Sequence, residues 1–210
     1  MTQGTEKRLK SGRRLKPPLT LAVPSSVRLF ISPRGFWRLC AANRDMRLER
    51  TAQGALIVMA PAGSESSRIN ADLTSQIVVW AKKDGTGVAF DSSAGFTLPN
   101  GAVRAPDVSW ITRPRWSKLT RRQSQKFAPI CPDFVAELTS PSDKRAVVQE
   151  KMREYLDQGV RLGWLIDPEA VEVEIYRPGR PVELLKRPAA LSGEDVLPGF
   201  TLDLQVILFD

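Results

Sequence analysis

The residues best suited to catalysis lie in three neighbouring segments near the middle of the chain. Asp107 follows Ala105-Pro106 and precedes an apolar, strand-like run, Glu137 stands inside a second such run, and Lys151 lies on the helical segment that comes next. Two carboxylates can hold a divalent cation that polarises a phosphate and activates a water molecule, and an ammonium group can meet the developing charge. This pattern is typical of a metal-dependent phosphodiesterase.

Each of the two acids also has an ordinary structural explanation. Asp107 suits a turn after Pro106, and Glu137 suits an edge strand with its carboxylate in water. In the segment Phe134–Thr139 side chains alternate, so Val135, Glu137 and Thr139 share one face. An acid is costly to bury there without a partner. Taken singly, the structural and functional interpretations of each acid carry equal weight.

Lys151 falls among apolar residues that repeat every four positions on its predicted helix: Val147 and Tyr155 in its own row, and Val148, Met152 and Leu156 in the next. A charge within such a stripe either reaches solvent along the core edge or has a function. The functional interpretation places the ammonium near a metal-bound phosphate, with Lys144 at the helix start as the second candidate. Because Lys151 would be a desolvated charge, we expect Lys151→Met to leave thermal stability unchanged or raise it.

The chain contains no histidine, which removes histidine triads, histidine general bases and histidine metal ligands. Cys40 and Cys131 lack metal-ligand spacing, so any metal must sit on carboxylates, carbonyls and water, a set that favours Mg²⁺ or Mn²⁺. The two cysteines suggest free thiols in a reducing cytoplasm, with a disulfide left as an alternative.

The net charge of +8 is concentrated at the start of the chain. Residues 1–50 hold twelve Lys and Arg against three acids. Residues 1–24 are basic and proline-rich, so we interpret them as a disordered tail, with a weak phosphate-binding arm as the alternative. Residues 25–210 suffice for one domain. No apolar run approaches the roughly 20 residues of a membrane-spanning helix, and no secretory signal is evident.

Hydrophobic periodicity predicts a mixed sheet with helices on its faces, an α/β or α+β layer fold. The long helix over residues 66–83 is the clearest element, with Ile69, Leu73, Ile77 and Trp80 on one face. The other predicted elements are a short helix within 27–42; hairpins over 48–59 and around Asn100-Gly101, the second continuing into 107–111; strands at 88–90, 134–139, 162–166, 171–176 (half-exposed) and 182–185; and a helix ending at Gln158.

A basic stretch between the two acid-bearing segments could contact nucleic-acid phosphates. It contains tryptophan and no acid, and its candidate contacts are Arg113, Arg115, Lys118, Arg121 and Arg122. A solvated loop is an equally weighted alternative.

Several of these motifs together resemble the Uma2 family of putative restriction endonucleases, which belongs to the PD-(D/E)XK nuclease-like superfamily. They are Pro106-Asp107, Glu137-Leu138-Thr139-Ser140-Pro141-Ser142, Lys151 and Tyr155, Gly159-Val160, Trp164-Leu165-Ile166-Asp167-Pro168 and Leu197-Pro198-Gly199-Phe200. The resemblance covers roughly residues 30–205 and is specific as a set.

The resemblance implies a restriction-endonuclease-like mixed central β-sheet flanked by helices, with an N-terminal hairpin and C-terminal strands. It implies that Asp107 and Glu137 are metal ligands and that Lys151 stabilises the attacking or leaving oxygen. The superfamily places its lysine two residues after the second acid, where this chain has Thr139, so Lys151 would replace it from the following helix. Glu65 resembles a further catalytic acid, and Glu49 occupies the acid position of the first hairpin.

Glu65, Glu49 and Gln149 have structural alternatives as a helix N-terminal acid, a surface strand acid and a solvated helix glutamine. The sequence as a whole predicts a cytoplasmic Mg²⁺- or Mn²⁺-dependent endonuclease acting on DNA, without membrane association and with a homodimer left open. A catalytically inactive nuclease-fold module that binds nucleic acid or another partner is the alternative, and a hydrolase of another phosphate ester is a third.

Overall fold

The computed structural model describes residues 27–141 and 143–209. The predicted basic tail, residues 1–24, lies outside these ranges. Within them no helix is long and apolar enough to cross a membrane. The helices are α1 (Pro33–Ala42), α2 (Ser64–Asp84), α3 (Arg113–Trp116), α4 (Arg121–Ser124), α5 (Arg145–Asp157) and α6 (Gln205–Leu208).

The strands form three sheets. The central six-stranded sheet contains β3 (Gly87–Phe90), β6 (Val108–Thr112), β7 (Phe134–Leu138), β8 (Leu162–Asp167), β9 (Glu172–Tyr176) and β10 (Glu183–Lys186). A four-stranded sheet contains β1 (Arg47–Arg50), β2 (Leu56–Met59), β4 (Phe96–Thr97) and β5 (Val103–Arg104). A third pairs β11 (Ala190–Ser192) with β12 (Thr201–Asp203).

The central sheet has the order β10-β9-β8-β7-β6-β3 and is mixed. Its strands pair antiparallel except for β7 and β8, which are parallel. A parallel pair needs a crossover connection, and α5 provides it. The predicted mixed sheet flanked by helices is therefore confirmed.

The long helix α2 covers one face of the central sheet. Ile69, Leu73 and Ile77 are buried on that face, as their spacing predicted, whereas Trp80 lies at its margin and its ring contacts Trp110. The helix extends slightly beyond the predicted range at both ends and stops at Gly85, whose φ of 75° suits glycine. Residues of β11, β12 and α6 complete this half of the core.

Helix α5 covers the opposite face. Met152 and Tyr155 are fully buried there, packed with side chains of β7, β8 and β9. Gly163 lets the helix approach closely, because a Cβ at that position would lie 2.7 Å from Cε of Met152. Val147 is exposed, so the apolar row predicted to include it is buried only toward the C-terminal end of the helix.

Two details of the predicted strands are wrong. The hairpin around Asn100-Gly101 does not continue into β6, because the chain passes from the four-stranded sheet into the central sheet between Arg104 and Val108. Strand β9 is buried rather than half-exposed from Val173 to Tyr176. It lies between β8 and β10 with cores on both sides, and its alternating acids are neutralised by Arg145 rather than solvated.

Candidate active site

The two predicted metal ligands lie side by side at one end of the central sheet. Val108 pairs with Ala136, so Asp107, just before β6, comes opposite Glu137 on β7. The link is direct: the Leu138 backbone N–H donates to Oδ2 of Asp107 over 3.0 Å. The strand pairing therefore brings together two carboxylates that are thirty residues apart in the sequence.

Glu137 points from β7 toward α5 and is 5% exposed. Its Oε1 lies 2.8 Å from Nζ of Lys151 and accepts a hydrogen bond of 2.9 Å from the Tyr155 hydroxyl. Lys151 and Tyr155 are one helical turn apart, so a single face of α5 presents both donors.

Glu49 joins the site from β1 of the other sheet and is 2% exposed. Its Oε1 lies 2.9 Å from Nζ of Lys151 and accepts a 2.9 Å bond from the Ala105 backbone N–H. The ammonium of Lys151 thus joins carboxylates from two sheets. Burial and this ion pair place Glu49 in the cluster rather than on the surface, although the sequence offered only its hairpin position as a signal.

Arginines surround this group. Nη1 of Arg104 lies 3.0 Å from Glu49, and its Nε lies 2.6 Å from Glu154 on α5. Nη2 of Arg47 lies 3.3 Å from Oδ1 of Asp107. These contacts orient Glu49, Glu154 and Asp107 and connect the four-stranded sheet to α5 and to the start of β6.

The carboxylates differ in their affinity for protons. Burial raises the pKa of Glu137 to about 7 even though Lys151 opposes the shift, and the negative charges of Asp107 and Glu49 add to the rise. Burial alone would also raise the pKa of Glu49, but Lys151 and Arg104 outweigh it and the pKa falls below its usual value. Burial tends to lower the pKa of Lys151, yet Glu137 and Glu49 raise it, so the lysine remains charged.

The donor set suits a hard divalent cation. Asp107 and Glu137 supply only oxygen atoms, and Mg²⁺ is commonly held by one or two carboxylates with water completing its shell. Burial is the main cause of the raised pKa of Glu137, so a bound cation would stabilise its ionised form. No cluster of three acids or cysteines arranged around a common metal position occurs within residues 27–141 and 143–209, so water or substrate would have to supply the remaining ligands.

Other predicted residues lie outside this cluster. Glu65 begins α2 on the opposite face of the sheet, is 68% exposed at its side chain and pairs with Arg68 at 2.8 Å. Gln149 donates to Glu174 over 2.7 Å, within the ion-pair network of Arg145. Lys144, the alternative to Lys151, is exposed at the start of α5. A catalytic role for Glu65 stays a prediction that none of these contacts supports.

The basic stretch forms the two short helices α3 and α4 and divides into two groups. Arg113 donates to the carbonyl of Gly85, and Arg115 pairs with buried Asp133 at 2.7 Å, so both have structural partners. Lys118, Arg121 and Arg122 are exposed. The stretch leaves the sheet at the end of β6 remote from Asp107, so its proximity to the acids in sequence does not carry over into space.

Comparison with known proteins agrees with this architecture. A family model described as "Uma2: Putative restriction endonuclease" matches residues 34–205. The crystal structure of a putative nuclease belonging to DUF820, from Anabaena variabilis ATCC 29413, superposes with a TM-score of 0.70 at 23% sequence identity, covering 85% of this chain and 97% of that one. No curated protein sequence matches. The fold is therefore that of a restriction-endonuclease-like nuclease.

Proposed function

Because this chain belongs to the Uma2 family of putative restriction endonucleases, we propose that it is a divalent-metal-dependent endonuclease that hydrolyses DNA phosphodiester bonds. One observation carries the proposal: the ammonium of Lys151 lies 2.8 Å from the buried carboxylate of Glu137, which is itself adjacent to Asp107. The closeness of Asp107 and Glu137 at one end of the central sheet to Lys151 on α5 supports an acid-acid-lysine set for phosphoryl chemistry.

Asp107 and Glu137 would hold Mg²⁺ or Mn²⁺. When bound, such a cation polarises a phosphate and lowers the pKa of water. Lys151 would present its ammonium to the phosphate oxygens as charge develops on them. Tyr155 and Glu49 would act as positioning residues, because the Tyr155 hydroxyl donates to Oε1 of Glu137 and the Glu49 carboxylate pairs with Lys151.

The rival function is a nuclease fold that binds nucleic acid or a partner without cutting. In that case the Lys151 pairs would be purely structural. The pairing with Lys151 lowers the pKa of Glu137, but burial outweighs it and raises that pKa to about 7, so a further cation would still stabilise the ionised carboxylate. Hydrolysis of another phosphate ester would use the same three residues, so only a substrate comparison separates it from DNA cleavage.

The two free cysteines, Cys40 and Cys131, support a reducing cytoplasm as the location of this protein.

The test is cleavage of supercoiled plasmid by the purified chain with Mg²⁺, with Mn²⁺ and with EDTA. The wild type should nick or linearise the plasmid only with metal, and Glu137→Gln, which preserves the size of the side chain, should not. Lack of metal-dependent cleavage on plasmid and oligonucleotide DNA would favour the binding module. Cleavage of a small phosphodiester but not of DNA would favour the third function.

A further inference from the structure

Helix α1 presents a basic and aromatic surface that the sequence did not single out. Arg34, Trp37 and Arg38 are exposed on it, Trp37 to 43%, and the helix contains no acid. Arg34 and Arg38 have no ion-pair partner among the described residues. Uncompensated cations beside an exposed tryptophan are unusual for a merely solvated helix, because an exposed aromatic adds nothing to solubility.

A lysine from the loop after α4 extends this surface. Nζ of Lys126 lies 4.7 Å from the centre of the Trp37 ring. Together with Arg34 and Arg38 these two residues line a shallow depression of about 350 Å³. The depression therefore combines an exposed indole, with Lys126 over its ring, and two arginines. Aromatic and cationic groups are the combination by which proteins stack a nucleobase and hold the adjoining phosphates.

A larger cavity of about 510 Å³ continues from the depression and shares Trp37 and Lys126 with it. Its wall carries four further aromatic residues: Phe90, Phe96, Trp116 and Phe127. Phe90 contacts the rings of Phe96 and Trp116 edge-on, with ring centres 5.4 Å and 4.9 Å apart. The volume lies within the range of about 300–1,000 Å³ that small-molecule and cofactor sites occupy.

The cavity ends beside the acidic site. Arg47 and Ala105 belong to its lining, and the same Arg47 lies 3.3 Å from Asp107. The backbone N–H of Ala105 donates to Glu49. We name the depression and the cavity together the α1 channel. It is lined by one acid, Asp45, and by five basic residues: Arg34, Arg38, Arg44, Arg47 and Lys126.

We propose that the α1 channel binds an unpaired strand of the DNA substrate and leads it to Asp107; this rests on the nuclease function proposed above. The positive lining complements a phosphate backbone. Aromatic surfaces can stack only on bases that are not already stacked in a duplex, so the aromatic lining favours a single-stranded, flanking or flipped segment over intact double helix. Trp37 stacks a base in place of Lys126, and Arg34, Arg38 and the displaced Lys126 contact its phosphates.

Binding is measured by fluorescence anisotropy with labelled oligo(dT) and with a duplex of equal length, in EDTA so that no cleavage occurs. The wild type should bind oligo(dT) more tightly. Trp37→Ala should weaken oligo(dT) binding on the order of 5- to 150-fold while changing duplex binding little, and Trp37→Phe should retain most of the affinity. Arg34→Ala/Arg38→Ala should flatten the salt dependence, by about 0.7 per lost phosphate contact.

The matched control is Lys82→Ala/Lys83→Ala, which removes two exposed cations from the last turn of α2, at the end of the sheet remote from Asp107. It should bind like the wild type, and circular dichroism melts should show all variants folded. Equal affinity of the wild type for duplex and oligo(dT), or wild-type binding by both Trp37→Ala and the arginine variant, would overturn the channel. If these variants lose binding in EDTA but no form cuts with metal, the channel stands and the nuclease function fails. If the wild type cuts and both variants bind normally, the nuclease function stands and the channel fails.

Discussion

Replacing Lys151 with methionine separates catalysis from structure at the centre of the site. Methionine keeps most of the apolar stem packed on the helix and removes the ammonium that lies 2.8 Å from Glu137 and 2.9 Å from Glu49. The change would leave two buried carboxylates facing each other without their shared cation. The sequence alone suggested unchanged or raised stability, but these ion pairs reverse that expectation.

The size of the effect follows from the burial of both acids. Removing one partner of a buried ion pair costs about 3–5 kcal/mol, less whatever is recovered when Glu137 takes up a proton. With its pKa already about 7, Glu137 protonates easily, so the loss should be smaller at pH 6 than at pH 8. Cleavage should fall by roughly 10²–10³-fold, the usual effect of losing one preorganised electrostatic partner, while DNA affinity changes much less.

The assay is single-turnover cleavage of plasmid and oligonucleotide DNA with Mg²⁺, together with urea unfolding at both pH values. Lys144→Met is the matched control, since it removes an exposed lysine from the start of the same helix and should leave both properties unchanged. Lys151→Met/Glu49→Gln should regain stability but not cleavage. Wild-type cleavage by folded Lys151→Met would refute the catalytic role, and unchanged stability at pH 8 would refute the reasoning about the ion pairs.

Three further predictions follow from the contacts of the site and its surroundings. Tyr155→Phe removes the hydroxyl bonded to Glu137 and should cost about 1.5–3 kcal/mol in urea unfolding at pH 8; no loss would mean that the bond is unimportant. Burial raises the pKa of Glu137 from its ordinary value of 4.5 to about 7, so between these pH values the folded chain binds more protons than the unfolded chain. The free energy of unfolding should therefore fall as pH rises across that window, by about 3 kcal/mol in total. Glu137→Gln should flatten that slope, and Mg²⁺ should raise the melting temperature more at pH 8 than at pH 5.5, whereas a metal effect independent of pH would contradict the titration. Arg115→Ala should destabilise the fold by about 1–3 kcal/mol because buried Asp133 loses its ion-pair partner, with DNA affinity unchanged in anisotropy; a loss of affinity at full stability would support a place for Arg115 in the DNA interface.

The sequence predicted the parts of the fold that periodicity and turn chemistry encode locally. The row Ile69, Leu73 and Ile77 predicted α2, and Gly85 predicted its end. Prediction from the sequence failed where contacts with distant segments of the chain decide how exposed a residue is. The alternation of β9 indicated a half-exposed strand, because only the three-dimensional structure shows Arg145 returning from α5 to neutralise Glu172 and Glu174.

The residues of the site also differ in whether the local sequence reveals them. Asp107, Glu137 and Lys151 could be singled out because two acids and a lysine in apolar surroundings are costly without a function. Glu49 was named only from its place in the first hairpin and the α1 channel was not predicted, since pairing of β1 with β5 and packing of loops against α1 create them. The direction of β6 carries Arg113 away from Asp107, although Trp116 and Lys126 farther along the basic stretch line the α1 channel. Contact of Arg113, Arg115, Lys118, Arg121 and Arg122 with nucleic acid stays a prediction.

The location of a bound metal tests the central claim most directly. Anomalous diffraction from crystals grown with Mn²⁺ should show one peak at bonding distance from a carboxylate oxygen of Asp107 and one of Glu137. Glu137→Gln crystals should lose that peak. The absence of a peak there, or a peak instead among Asp167, Glu172 and Glu174 around Arg145, would contradict the account.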